Sequence, residues 1–310
     1  MRGFAGTGIR LLARLALPLA ILCASGWLLR RQLGALDLES VRRAIAALPS
    51  RQLVLAALAT MGSYASLAIV ERGLFATAGT SVRWRRVLLA SFISNSVSAS
   101  VGLVLVSAAL LRLRIYGRWS VAARDSVYVS LAFAPVVIMS GLLGAGLAIL
   151  AGLRDAQRVL AVGPAPLTVL ALVLVLPGAA FLAMAGGREL RWRRLRLVVP
   201  TRDRRLALIG AGLCDWVCAS GALFAVTGIA VAAYPLFLLQ FVFGWLFGAA
   251  SGLPAGAGVI DATMLGTFGN DANVATLAAG LLLFRLVYFA VPGLVALALL
   301  AITELRTTSE

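Results

Sequence analysis

The 310-residue chain is 61% hydrophobic, carries 28 basic against 12 acidic residues, and has no His. Every basic residue is Arg, so the usual general base, the imidazole metal ligand and the catalytic Lys are missing, which weakens most soluble-enzyme mechanisms. Its apolar residues gather into long runs, the mark of an integral membrane protein, and the Arg cluster in short links between them, where they set topology and meet anionic headgroups rather than nucleic acid.

At the N-terminus Arg2, Arg10 and Arg14 precede an apolar block at 11–29, and Arg30 and Arg31 follow it without a small-residue cleavage site. A retained first helix is predicted rather than a signal peptide. The stretch DLESVRRAIAALP then sets Leu38, Val41, Ile45 and Leu48 on one helical face, with Arg42 and Arg43 off it and Pro49 as a stop; an interfacial helix is predicted. Further apolar blocks run at 53–70, 87–111, 126–150, 159–185, 206–232, 235–260 and 274–302, each near the roughly 20 residues that a span needs. The fold class is therefore an all-α polytopic membrane protein with eight membrane segments in a single domain, residues 1–310. Cys23, Cys214 and Cys218 fall inside apolar segments without further thiol or His ligands and read as buried small apolar residues.

Two blocks are unusual. In SFISNSVSAS, residues 91–100, six of ten residues are Ser or Asn. A bend at membrane depth frees backbone groups that hydrocarbon cannot satisfy, and Ser94, Asn95 and Ser98 supply polar atoms for it. The block at 235–260 carries Gly244, Gly248, Gly252 and Gly256 at four-residue spacing, then breaks at Leu253-Pro254-Ala255-Gly256-Ala257-Gly258. If all eight blocks cross, 17 link Arg lie on one side and 10 on the other; if these two are re-entrant, the division becomes 20 cytoplasmic against seven outside. The second arrangement fits the positive-inside rule better and puts both termini in the cytoplasm of a bacterial inner membrane. Broken segments at corresponding positions in two halves, about 1–150 and 151–310, suggest an inverted repeat with a transport site between its halves.

The run SASVGLVLVSAALLRLRIYGRW, residues 98–119, and the later LPAGAGVID with LLLFRLVYFAVP resemble the membrane region of lysylphosphatidylglycerol synthases, also called multiple peptide resistance factors, and related flippase-like proteins. Gly102, Arg112, Arg114, Ile115 and Tyr116 match the first signature; Pro254, Gly256, Gly258 and Asp261, followed by Arg285, Tyr288 and Pro292, match the second. The chain departs from the pattern at Ala108 and Ala109, where the family has a Gly pair, and at Ala99 and Ser100, where it has Asn. The resemblance implies movement of a lipid, for instance a modified phosphatidylglycerol, through a cavity opening toward the membrane. Longer family members carry a soluble aminoacyl-transfer domain; the chain ends at Glu310 without one, so lipid aminoacylation is not expected of it.

Ionisable residues within apolar blocks must pair or face water, because an unpaired charge at mid-bilayer costs roughly 2.5–3.5 kcal/mol on insertion scales. Asp215 lies about ten residues into one block and Arg285 well inside another, while Asp261 directly follows the broken turn. Asp261 and Arg285 suit a headgroup site in which lipid phosphate competes for the Arg; a structural ion pair is the alternative. Arg112 and Arg114 suit phosphate contacts, the family resemblance adding Tyr116 and Tyr288, and topology-setting Arg are the alternative. Glu71 with Arg72, and Arg124 with Asp125, read as solvated or interfacial pairs. The Arg-rich link over 188–205, with Trp192, reads chiefly as a topology determinant.

Three functions compete: a lipid translocator without cofactor or metal, binding phospholipid headgroups; a non-catalytic membrane partner that presents lipid intermediates to a separate synthase or glycosyltransferase; and an intramembrane enzyme using Asp215 or Asp261 as a base. The translocator is preferred and the enzyme is last, because no nucleophile-base arrangement accompanies either carboxylate.

Overall fold

A computed structural model describes residues 38–101, 104–186, 189–192, 195–250, 258–269 and 274–306. The predicted first helix at 11–29 lies outside them, as do Gly102, Pro254 and Gly256. The described chain is helical except for one short antiparallel ribbon, β1 (Glu189–Trp192) and β2 (Leu195–Val198), within the Arg-rich link. Among the described residues six helices are long and apolar enough to cross a membrane, the pattern of a multi-pass membrane protein. Six of the eight sequence blocks thus appear as such helices; the first is outside the description and the third is split in two.

A short helix α1 (Leu38–Ala47) precedes α2 (Ser50–Thr77), which Pro49 introduces and a left-handed Gly79 (φ +79°) closes. There Thr80 N–H donates to Phe75 O at 2.9 Å and Gly79 N–H to Ala76 O at 3.3 Å, the paired bonds that satisfy the last carbonyls of a helix ending in glycine. Next come α3 (Trp84–Val101) and α4 (Val104–Gly117), packed on each other as a hairpin. The Ser-rich stretch is not itself the bend. Residues 91–100 stay helical inside α3, and the reversal falls after Val101. Helical bonding already satisfies the backbone there, so Asn95 Nδ2 donates back to Ser91 O at 2.9 Å and Ser100 to Ser96 O at 3.0 Å. Then follow α5 (Ala123–Ala151), α6 (Leu153–Leu160) and α7 (Pro164–Ala183).

Helix α8 (Arg202–Phe224) leads to a second hairpin, α9 (Tyr234–Ala250) and α10 (Val259–Phe268), with Gly258 at φ +85° capping α10. Gly244 on α9 admits α10 closely: a Cβ there would stand 2.6 Å from Thr263 Oγ1 and 3.3 Å from Ile260 Cα. The chain finishes with α11 (Val274–Phe284), a π-helical segment at Arg285–Ala290, and α12 (Val291–Arg306).

Helices α2 and α8 pack antiparallel at the centre, with Gly62 against Cys218 and Gly73 against Leu208. Helix α5 packs on α9, and α12 packs on α3. Contacts also define two ends. At one, Arg204 donates to Ala76 O at 2.6 Å, Thr80 donates to Asp125 Oδ2 at 2.6 Å, and Arg86 lies 5.4 Å from the Trp119 ring centre. The start of α3 and the residues after α4 are therefore neighbours. At the other end Gly152 meets Pro235, a Cβ at Gly228 would lie 3.9 Å from Thr276, and Phe237 faces Phe268 with ring centres 5.6 Å apart. There the start of α9 and the end of α10 are neighbours, so the two hairpins open toward opposite ends.

Glycine makes the α5–α8 crossing work. A Cβ on Gly141 would come within 2.8 Å of three atoms of the Trp216 ring, whose Nε1–H donates to Val137 O at 2.8 Å. Gly141→Val should displace that ring and lower unfolding stability by about 1–3 kcal/mol, read as an earlier thermal transition in detergent.

Candidate functional site

The polar side chains singled out in the sequence fall into separate clusters. The first joins α2, α3 and α4. Glu71, fully buried on α2, takes Arg112 Nε–H at 2.9 Å on Oε2 and the Tyr116 hydroxyl at 2.6 Å on Oε1. Arg112 also donates to Asn95 Oδ1 at 3.2 Å, and its guanidinium sits 4.2 Å from the Phe133 ring centre. Only 2% of Arg112 is exposed, so its guanidinium is committed to protein partners. Glu71 is thus not the solvated mate of Arg72 expected from their adjacency: Arg72 is exposed and lies 5.3 Å from the Trp84 ring centre. Helix geometry explains the switch, because residues i and i+1 point to different faces. Arg114, two residues beyond Arg112, is half-buried.

Arg124 and Asp125 do pair, at 3.3 Å, with Arg124 in solvent and Asp125 largely covered. Cys214 is exposed and Cys218 half-buried, with sulfurs 4.0 Å apart, so the reading of both as buried residues is corrected; Cys23 lies outside the described residues. Position along α8 put them in an apolar segment, but its circumference decided their exposure.

The second cluster lies at the inner end of the second hairpin. Asp261, in the first turn of α10, accepts the Gly258 N–H at 2.9 Å and pairs with Arg285. That N–H is one a helix start leaves unpartnered, and Asp261 complements the helix dipole there as well. Arg285 opens the π segment. The pair is less covered than Glu71–Arg112: the side chains of Arg285 and Asp261 are 14% and 24% exposed, against 3% and 0%. An ion pair that keeps an open side can exchange a partner.

A third cluster, not assembled from the sequence, lies between α2, α8 and the π segment. Ser63 donates to Asp215 Oδ1 at 2.5 Å, and its oxygen is 2.6 Å from the Tyr288 hydroxyl. The Tyr64 hydroxyl donates to Tyr288 O at 3.1 Å. Tyr288 therefore meets Asp215 through Ser63 rather than joining Asp261. Buried hydroxyls are also left on α3: Ser94 and Ser98 are fully buried and their Oγ atoms have no hydrogen-bond partner among the described residues.

Of the positions expected to act together, Arg112, Tyr116 and Asn95 meet around Glu71, Asp261 and Arg285 meet each other near Gly258, and Tyr288 joins Ser63. The signal for Glu71 and Ser63 was weak, since each finds its partner on another helix. A polar residue on a helix that is apolar on both sides was the available clue.

No family model matches the chain. It is similar to an uncharacterized protein of Synechocystis sp., 27% identical over 226 residues that cover 69% of this chain and 67% of the relative.

Proposed function

We propose that the protein moves a phospholipid or a modified lipid between membrane leaflets, with the Asp261–Arg285 pair as its headgroup site. In this reading α3–α4 and α9–α10 are re-entrant hairpins that enter from opposite faces of a bacterial inner membrane. The Arg-rich end, which bears Arg83, Arg85, Arg86, Arg118, Arg124 and Arg204, is cytoplasmic. The exchange of α5 and α12 between the halves, around an antiparallel α2–α8 pair, is what an inverted repeat would produce.

The observation that carries the reading is the partly open ion pair at the inner end of a broken segment. A lipid phosphate is a bidentate acceptor for guanidinium, and Asp261 keeps Arg285 neutralised when no lipid is bound. Arg112 takes a different role from the phosphate contact first expected: locked to Glu71, it ties the first hairpin to α2. The unpartnered hydroxyls of Ser94 and Ser98, on the helix that packs against the π segment, offer further polar surface along the same route.

The test is exchange of fluorescent phosphatidylglycerol in proteoliposomes, followed by quenching of outer-leaflet probe. The proposal requires loss of the protected fraction faster than in protein-free vesicles, with a preference among headgroups. Exchange at the protein-free rate for every anionic and zwitterionic headgroup would reject it. Exchange only after a lipid-modifying enzyme is added would favour the presenting-partner reading instead.

A further inference from the structure

Asp215 differs from Glu71 and Asp261, the other interior carboxylates, which each pair with an Arg. It lies about 20 Å along α8 from the Arg-rich end, by helix rise, and is 6% exposed. Its described partner is a hydroxyl, Ser63, not a cation. The other titratable neighbours are the phenols of Tyr64 and Tyr288 and the thiols of Cys214 and Cys218 on its own helix. Glu71, two turns further along α2, is paired with Arg112; Arg285 is paired with Asp261; Tyr234 on α9 bonds Ser220 at 2.9 Å; Arg124, Asp125 and Tyr128 of α5 lie at the Arg-rich end. Helices α7 and α11 contain no titratable side chain.

A carboxylate held in hydrocarbon by hydroxyls alone is poorly compensated when charged and well placed when protonated. The chain Asp215–Ser63–Tyr288 suits both states. With the carboxylate ionised, Tyr288 donates to Ser63 and Ser63 to Asp215. When a proton arrives, the new carboxyl O–H donates to Ser63, Ser63 donates to Tyr288, and the phenol hydrogen turns elsewhere. Only one proton is bound and no electrons move. The far end of this chain stands on the π segment, whose first residue is Arg285, and π segments concentrate at functional sites.

From this geometry we infer that Asp215 is a reversible proton site and that its charge state is transmitted through Tyr288 to the Asp261–Arg285 pair, coupling lipid transit to a proton gradient. The proton site stands on the described geometry; the coupling rests on the transport reading above.

The test uses the full chain in proteoliposomes and reads two quantities. Infrared difference spectra between acid and alkaline pH should show the carbonyl stretch of a buried protonated carboxyl, absent in Asp215→Asn. Fluorescent phosphatidylglycerol exchange should change several-fold in wild type when a pH gradient is imposed, and the ratio with and without the gradient should fall to one in Asp215→Asn. Ser63→Ala, which keeps the carboxyl, should shift the pH at which the band appears, so the inference stays testable if Asp215→Asn fails to fold. No titrating band overturns the proton site. A band with a gradient ratio of one in wild type overturns the coupling alone. A band without any lipid exchange removes the transport reading and leaves the proton site standing.

Discussion

Glu71→Ala should destabilise the protein by about 3–5 kcal/mol, because it leaves a buried guanidinium without its counter-charge. Among the described residues Arg112 would keep the Asn95 carbonyl and the Phe133 face, and the Tyr116 hydroxyl would lose its Glu71 acceptor. Reversible unfolding in detergent, followed by tryptophan fluorescence, measures the loss. The partner experiment is more telling. Glu71→Ala combined with Arg112→Met removes both charges, so the double variant should be more stable than Glu71→Ala alone, and the coupling energy in the cycle should exceed about 1 kcal/mol. Additive losses would mean that the pair is not what holds the first hairpin to α2.

Arg285→Gln should slow lipid exchange by about 10–100-fold, the loss of a hydrogen bond to a charged group worth roughly 1.5–3 kcal/mol. Arg285→Lys should recover part of the rate, since it restores the charge but not the fork of donors. Asp261→Asn should also slow exchange: the empty site loses its neutralising carboxylate, and α10 loses the charge at its first turn. If Arg285→Gln and Asp261→Asn both exchange lipid at the wild-type rate while remaining folded, the pair is structural only. The Glu71 and Arg285 variants should also differ in kind, the first losing stability and the second losing rate.

Sequence carried much of the architecture because bilayer physics acts on it directly. Long apolar runs marked the helices α2, α5, α7 and α8, and Arg density separated the ends. The break at residues 253–258 was legible, but the helix α10 that follows it was not, because Val259–Phe268 lies almost wholly between the blocks at 235–260 and 274–302. Position 91–100 misled: polar side chains suggested a bend, whereas α3 runs through them and reverses only afterwards. Ser and Asn inside a helix show that one side avoids lipid, not that the backbone breaks.

The interior pairings were not legible for a different reason. Ser63 and Asp215 are 152 residues apart, and Glu71 and Arg112 are 41 apart, so each pairing depends on which helices pack and at what height. Adjacency pointed Glu71 to Arg72, but two neighbours on a helix diverge by about 100°. The π segment was equally hidden, because LLLFRLVYFAVP reads as an ordinary apolar helix. By contrast Asp261 and Arg285 were legible as a pair, Asp261 because it follows the broken turn and Arg285 because it lies inside the last apolar block.

Accessibility of single cysteines in intact and permeabilised cells bears most directly on the central claim, that both hairpins turn back within the bilayer. With Cys23, Cys214 and Cys218 replaced, reporters at Arg85 and Ser120, exposed residues flanking the first hairpin, should both label only from the cytoplasm. Reporters at Ala230 and Thr276, which flank the second, should both label only from outside. Labelling of positions 85 and 120 from opposite faces would make α3–α4 a crossing and contradict the account.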